Sequence, residues 1–133
     1  MYKKSYKGFV IGLIIYLLLL MSISLIPGLN DQLAIRLIML LTIWYMAALS
    51  FQVWRTEQIY WYNGTTFEAA EAAGSERRKE FAWRHFRIFG RFALIHTAVA
   101  LAMTLLGWSA WIDFTVGTVG LCVACFLTMP IKL

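Results

Sequence analysis

Residues Glu76 to Leu106 read ERRKEFAWRHFRIFGRFALIHTAVALAMTLL. The first half is charged and aromatic, the second almost wholly apolar, and Gly90 is the only helix breaker inside it. The stretch reads as one helix that begins in water and finishes in hydrocarbon. A helix is the form expected there, because inside a bilayer every backbone N–H and C=O must find its partner within the segment.

The composition agrees with that reading. Of 133 residues, 61% are hydrophobic and 14% are charged, against about half and about a quarter in soluble domains. Four segments approach the roughly 20 apolar residues needed to cross a bilayer: 9–26, 33–53, 88–106 and 111–129. Pro27-Gly28 punctuates the first connection, Gly107-Trp108 marks the third, and Pro130 stops the last span. The polar stretch 54–87 falls short of the roughly 40 residues a separate soluble domain needs. Residues 1–133 are therefore read as a single all-α membrane domain, a bundle of four transmembrane helices. The run Phe9 to Ile26 is long for a signal-peptide core and lacks a small-residue cleavage site, so it is expected to stay as the first span.

Orientation follows from the basic residues. Lys3, Lys4, Lys7, Arg55, Arg77, Arg78, Lys79, Arg84, Arg87, Arg91 and Lys132 lie on one side of the four spans, and Arg36 alone lies on the other. Basic residues mark the cytoplasmic face, so both termini and the 54–87 loop are expected there (N-in, C-in), in a plasma membrane of bacterial type. Within the loop, the second helix is expected to run on through Tyr62, with Asn63-Gly64 ending it. Thr65 and Glu68 have capping-box spacing and open a short helix closed by Gly74, after which Ser75 is placed to cap the long third helix. The result is a helical hairpin projecting into the cytoplasm. The cytoplasmic position leaves the acceptor sequence Asn63-Gly64-Thr65 without meaning for glycosylation.

Three polar residues inside the spans need an account, because an intramembrane charge costs about 2.5–3.5 kcal/mol on insertion scales. Arg36 and Asp113 each stand about one turn inside the outer end of a span and are expected to form an ion pair or share a cavity. His96 is a candidate cavity-lining or proton-sensing residue. On a helical wheel it shares a face with Arg78 and His85. A second stripe, Arg77, Glu80, Arg84, Arg87 and Arg91, carries excess positive charge suited to anionic lipid headgroups of the cytoplasmic leaflet or to a partner protein.

Cys122 and Cys125 have C-x-x-C spacing within an apolar run, which reads as close packing beside Gly120 and Ala124. The sequence offers no catalytic nucleophile–base pair, no metal cluster and no glycine loop to cradle phosphates. An enzyme, a cofactor, a metal and a nucleic-acid partner are therefore not expected. Two functional readings stand. The first is a homo-oligomer with a transport or pore-type role, its path lined by Arg36, His96 and Asp113. The second is a non-enzymatic accessory or regulatory subunit that docks a partner through the cytoplasmic hairpin.

Overall fold

The structure, a computed structural model, describes residues 2–62 and 64–133. It is all-helical: α1 Lys7–Ser24, α2 Asp31–Thr56, α3 Phe67–Leu105 and α4 Ala110–Thr128, with a 3-10 turn at Ile59–Trp61. All four α-helices are long and apolar enough to cross a membrane. No strand occurs among the described residues.

α2, α3 and α4 pack on one another, and α1 lies along α2. The centre holds Met39, Ile43, Ala47, Phe89, Ala93 and Ala124. Three of these six are alanines, which let backbones approach where lipid supplies no hydrophobic drive between helices. α1 is held by Tyr16, whose ring stacks on Tyr45 with centroids 4.3 Å apart and whose hydroxyl lies 2.9 Å from that of Thr42. Otherwise α1 is apolar and largely exposed, and only Ile23 is buried.

The two ends of the bundle differ. At one end the chain makes two short connections, between α1 and α2 and between α3 and α4; we call this the turn end. At the other end lies the α2–α3 connection, and both termini meet it there. Tyr2 and Ser5 hydrogen-bond to Glu57 and Tyr60, and Ile131 packs against the same cluster. We call this the loop end.

Three loop-end expectations change. α2 does not run to Tyr62: it stops at Thr56, and Glu57 takes a left-handed conformation with φ 60°. Glu57 is held there by side chains of α3, described below. The short helix is capped by Thr66 rather than Thr65, the Thr66 hydroxyl accepting from the Ala69 N–H at 3.1 Å. Gly74 does interrupt the helix, with φ 75° and ψ 164°, but Ser75 sends its hydroxyl to Glu57 rather than to the helix it precedes. Asn63, expected to end α2, lies outside the described residues.

Candidate functional site

The turn end is built from the α3–α4 connection. α3 closes with paired backbone bonds, Trp108 N–H to Met103 C=O at 2.9 Å and Gly107 N–H to Thr104 C=O at 3.2 Å, around Gly107 at φ 68°. This is a Schellman closure, and the left-handed residue at its centre favours glycine. It leaves the Trp108 carbonyl free to accept from Arg36 of α2, whose guanidinium also donates to the Thr104 hydroxyl. Gln32, in the first turn of α2, accepts from the Ala110 N–H at 2.6 Å and so caps α4. Two helix N-termini, α2 and α4, are thus tied together around Arg36.

Arg36 is 6% exposed, yet its Nε has no hydrogen-bond partner. Among the described residues, no carboxylate lies within 4.0 Å of the guanidinium. The expected Arg36–Asp113 ion pair is therefore not formed. Both residues sit near the turn end, but α2 and α4 are rotated about their axes so that Arg36 meets α3 and the turn beyond it. Asp113 meets His96 of α3 instead.

The His96–Asp113 pair is the most deeply buried polar feature of the fold. His96 is 1% exposed and Asp113 0%. Nε2 of His96 lies 3.4 Å from Oδ1 of Asp113, and neither that nitrogen nor either carboxylate oxygen has a hydrogen-bond partner among the described residues. That separation lies just beyond the usual N–H···O range of 2.7–3.2 Å. An uncompensated carboxylate or imidazolium in such apolar surroundings is expensive unless movement or water relieves it.

Gly117 makes room for it. A Cβ at that position would stand 2.7 Å from Met39 Cγ and 2.9 Å from His96 Cε1. Gly120, one turn on, similarly accepts the Phe92 ring. Cys122 and Cys125 are both free thiols.

At the loop end a second buried arginine has every nitrogen engaged. Arg78 donates from Nε to Glu57 at 3.0 Å, places a terminal nitrogen 2.9 Å from the same carboxylate, and donates to the Ala70 carbonyl at 3.0 Å. Its guanidinium lies 4.0 Å from the centroid of the Tyr2 ring. Glu57 also accepts from Ser75 at 2.7 Å and faces Lys79 at 3.6 Å. Burial alone would raise the Glu57 carboxyl, but Ser75, Arg78 and Lys79 outweigh it and hold the group below its usual range. Burial raises the Tyr2 phenol to about 12 against the pull of Arg78, so it stays a donor to the Glu57 carbonyl at 2.6 Å.

Of the remaining sequence candidates, Arg77, Arg84, Arg87 and Arg91 are all exposed. Arg84 pairs with Glu80 one turn back. Arg78, His85 and His96 are buried together on the opposite face of α3. Sequence reasoning missed Glu57, Gln32 and Thr104. Glu57 left a partial signal, an acid at the end of an apolar span, and Gln32 lay in the first turn of another. Nothing in the sequence marks either one's partner. No family model, no curated protein and no solved structure matches this chain.

Proposed function

We propose that the chain is a non-enzymatic integral membrane protein of transport type, working as a homo-oligomer, in which His96–Asp113 carries a proton. The observation that supports this most is a carboxylate and an imidazole facing each other in the apolar core without a satisfied hydrogen bond. Buried polar groups in a purely structural role are normally satisfied, and intramembrane ionisable residues mark ion pathways. Asp113 stands in the first turn of α4, at the end where the Arg36 cavity opens. Toward the loop end, Ile43, Ala47, Phe89 and Ala93 fill the core. Neither His96 nor Asp113 lines that cavity, so a proton reaching the pair from the turn end requires α4 to move, and neighbouring protomers would supply the frame against which it does so. The charge bias supports a cytoplasmic position for both termini and the α2–α3 connection, which would put the cavity on the outer side.

The test is proton flux in proteoliposomes under an imposed potassium-diffusion potential, read with an internal pH-sensitive dye. Wild-type protein is expected to pass protons faster than empty vesicles, and Asp113→Asn and His96→Gln to bring the rate back to theirs. Flux that is absent in the wild type, or unchanged in Asp113→Asn, overturns the reading.

The accessory-subunit reading is favoured by a different observation. The α2–α3 connection is locked by Tyr2, Tyr60, Trp61 and Phe67 into a rigid platform, beside exposed Arg77, Arg84, Arg87 and Arg91. It predicts a monomer or dimer in mild detergent and a partner crosslinked through the 65–87 segment, whereas the transport reading predicts a discrete oligomer of three or more protomers.

A further inference from the structure

We infer that the turn-end cavity is a binding site for a small oxyanion of the phosphate or carboxylate class, recognised by Arg36. The cavity measures about 560 Å³, and Asn30, Gln32, Arg36, Thr104, Trp108 and Ser109 line it. That volume lies within the roughly 300–1,000 Å³ typical of small-ligand sites.

Three sources of positive potential converge there. One is the Arg36 guanidinium. The others are the N-termini of α2 and α4, whose caps Asn30 and Ser109 both line the cavity. Helix N-termini favour anions through their aligned peptide dipoles; here the N–H groups of Leu33, Ala110 and Trp111 are taken by Asn30, Gln32 and Ser109, so the dipoles rather than those N–H groups contribute. The independent observation is the arginine itself: 6% exposed, with Nε unpartnered. Its two hydrogen bonds go to a hydroxyl and a carbonyl, both neutral, so the charge stays uncompensated.

The acids nearby do not supply the missing charge. Asp31 is exposed in the first turn of α2 and makes no ion pair among the described residues. Asp113 is turned toward His96. A buried guanidinium held by neutral acceptors is the complement of a planar or tetrahedral oxyanion, to which arginine presents a fork of donors. Asn30, Gln32 and Ser109 supply polar groups that can orient it. The inference rests on the cavity and not on the transport reading, and it holds whether or not the chain moves anything.

The shared chemistry has two sources, a free anion or the phosphate of a lipid headgroup, and two measurements separate them. In the first, the thermal transition of the detergent-purified chain is followed as inorganic phosphate is titrated against sodium chloride of equal ionic strength. A saturable rise specific to phosphate is expected. The affinity should fall about tenfold or more in Arg36→Gln, and by less in Arg36→Lys, which keeps the charge but loses the fork. In the second, native mass spectrometry of protein released from nanodiscs counts retained phosphatidylglycerol.

If phosphate stabilises the wild type, and the effect weakens in Arg36→Lys and is largely lost in Arg36→Gln, the ligand is a free anion. If phosphate is inert while one phosphatidylglycerol is retained by the wild type and lost from the variants, the ligand is a headgroup. If Arg36→Gln fails to fold, Arg36→Lys alone decides between these outcomes, with its unliganded transition as the folding control. No saturable phosphate effect and no Arg36-dependent lipid retention, or binding equal in wild type and variants, overturns the inference.

Discussion

The fold buries two arginines, one at each end, and treats them oppositely. Arg78 at the loop end has a carboxylate, a carbonyl and an aromatic face around it, and no nitrogen is left over. Arg36 at the turn end has two neutral acceptors, no carboxylate and one orphaned nitrogen. The histidine and aspartate of the core are similarly unsatisfied. Satisfied charges of the first kind hold a chain in shape. Unsatisfied ones in the core weaken the fold unless something else uses them, and in this molecule they gather in the half nearer the turn end.

The largest effect expected from breaking this contrast lies at the loop end. Arg78→Ala leaves Glu57 half-paired and unties the Gly74 kink from the end of α2. A loss of about 3 kcal/mol is expected, at the low end for a buried pair because both partners keep some solvent contact. Thermal unfolding in mild detergent measures it. The same knot predicts a pH dependence. The Glu57 carboxyl is held below its ordinary value of 4.5. Its contribution is therefore complete above that value and disappears as pH falls through the depressed folded value. The difference in stability between wild type and Glu57→Gln should shrink over that acidic range and stay constant above it. A difference that persists unchanged at the acid end contradicts the assignment.

Gly117→Ala sharpens the other side of the comparison. Its Cβ would press on the side chains of Met39 and His96. The expected cost is about 1–2 kcal/mol of overpacking, with a larger proportional effect on proton flux than on stability. A loss of stability alone would mean that the His96–Asp113 geometry tolerates displacement.

Much of the fold could be read from the chain. Hydropathy locates the four helices, and Gly74 reads as the end of a short helix ahead of the long one, where the structure has a kink inside α3. The wheel placed Arg78, His85 and His96 on one face, and that face is buried. What could not be read was the rotation of each helix about its own axis. Arg36 and Asp113 match in depth, and depth was the sole basis for pairing them. Rotation depends on which small residues allow close contact, such as Gly117 against Met39 and His96, and it turned the two apart. The end of α2 was misread for a related reason. Propensity continues the helix to Tyr62, but Ser75, Arg78 and Lys79 converge from α3 on Glu57 and hold it in a left-handed conformation that no local signal announces.

The smallest effect is expected where both partners stay in water. Arg84 and Glu80 pair across one turn with more than half of each side chain exposed. Arg84→Gln should change stability by less than about 0.5 kcal/mol, measured in the same unfolding assay. A larger loss would mean that this stripe is covered in the assembled protein.

The most direct test of the account is nitrogen-15 NMR of histidine-labelled protein in lipid across a pH series. The chain has only two histidines, so His85 serves as an internal reference for His96. The account predicts that the His96 ring signals report a protonation event that moves to a different pH in Asp113→Asn, while the His85 signals keep their profile. A His96 titration that is absent, or identical in wild type and Asp113→Asn, would show that the pair does not share a proton and would contradict the central claim.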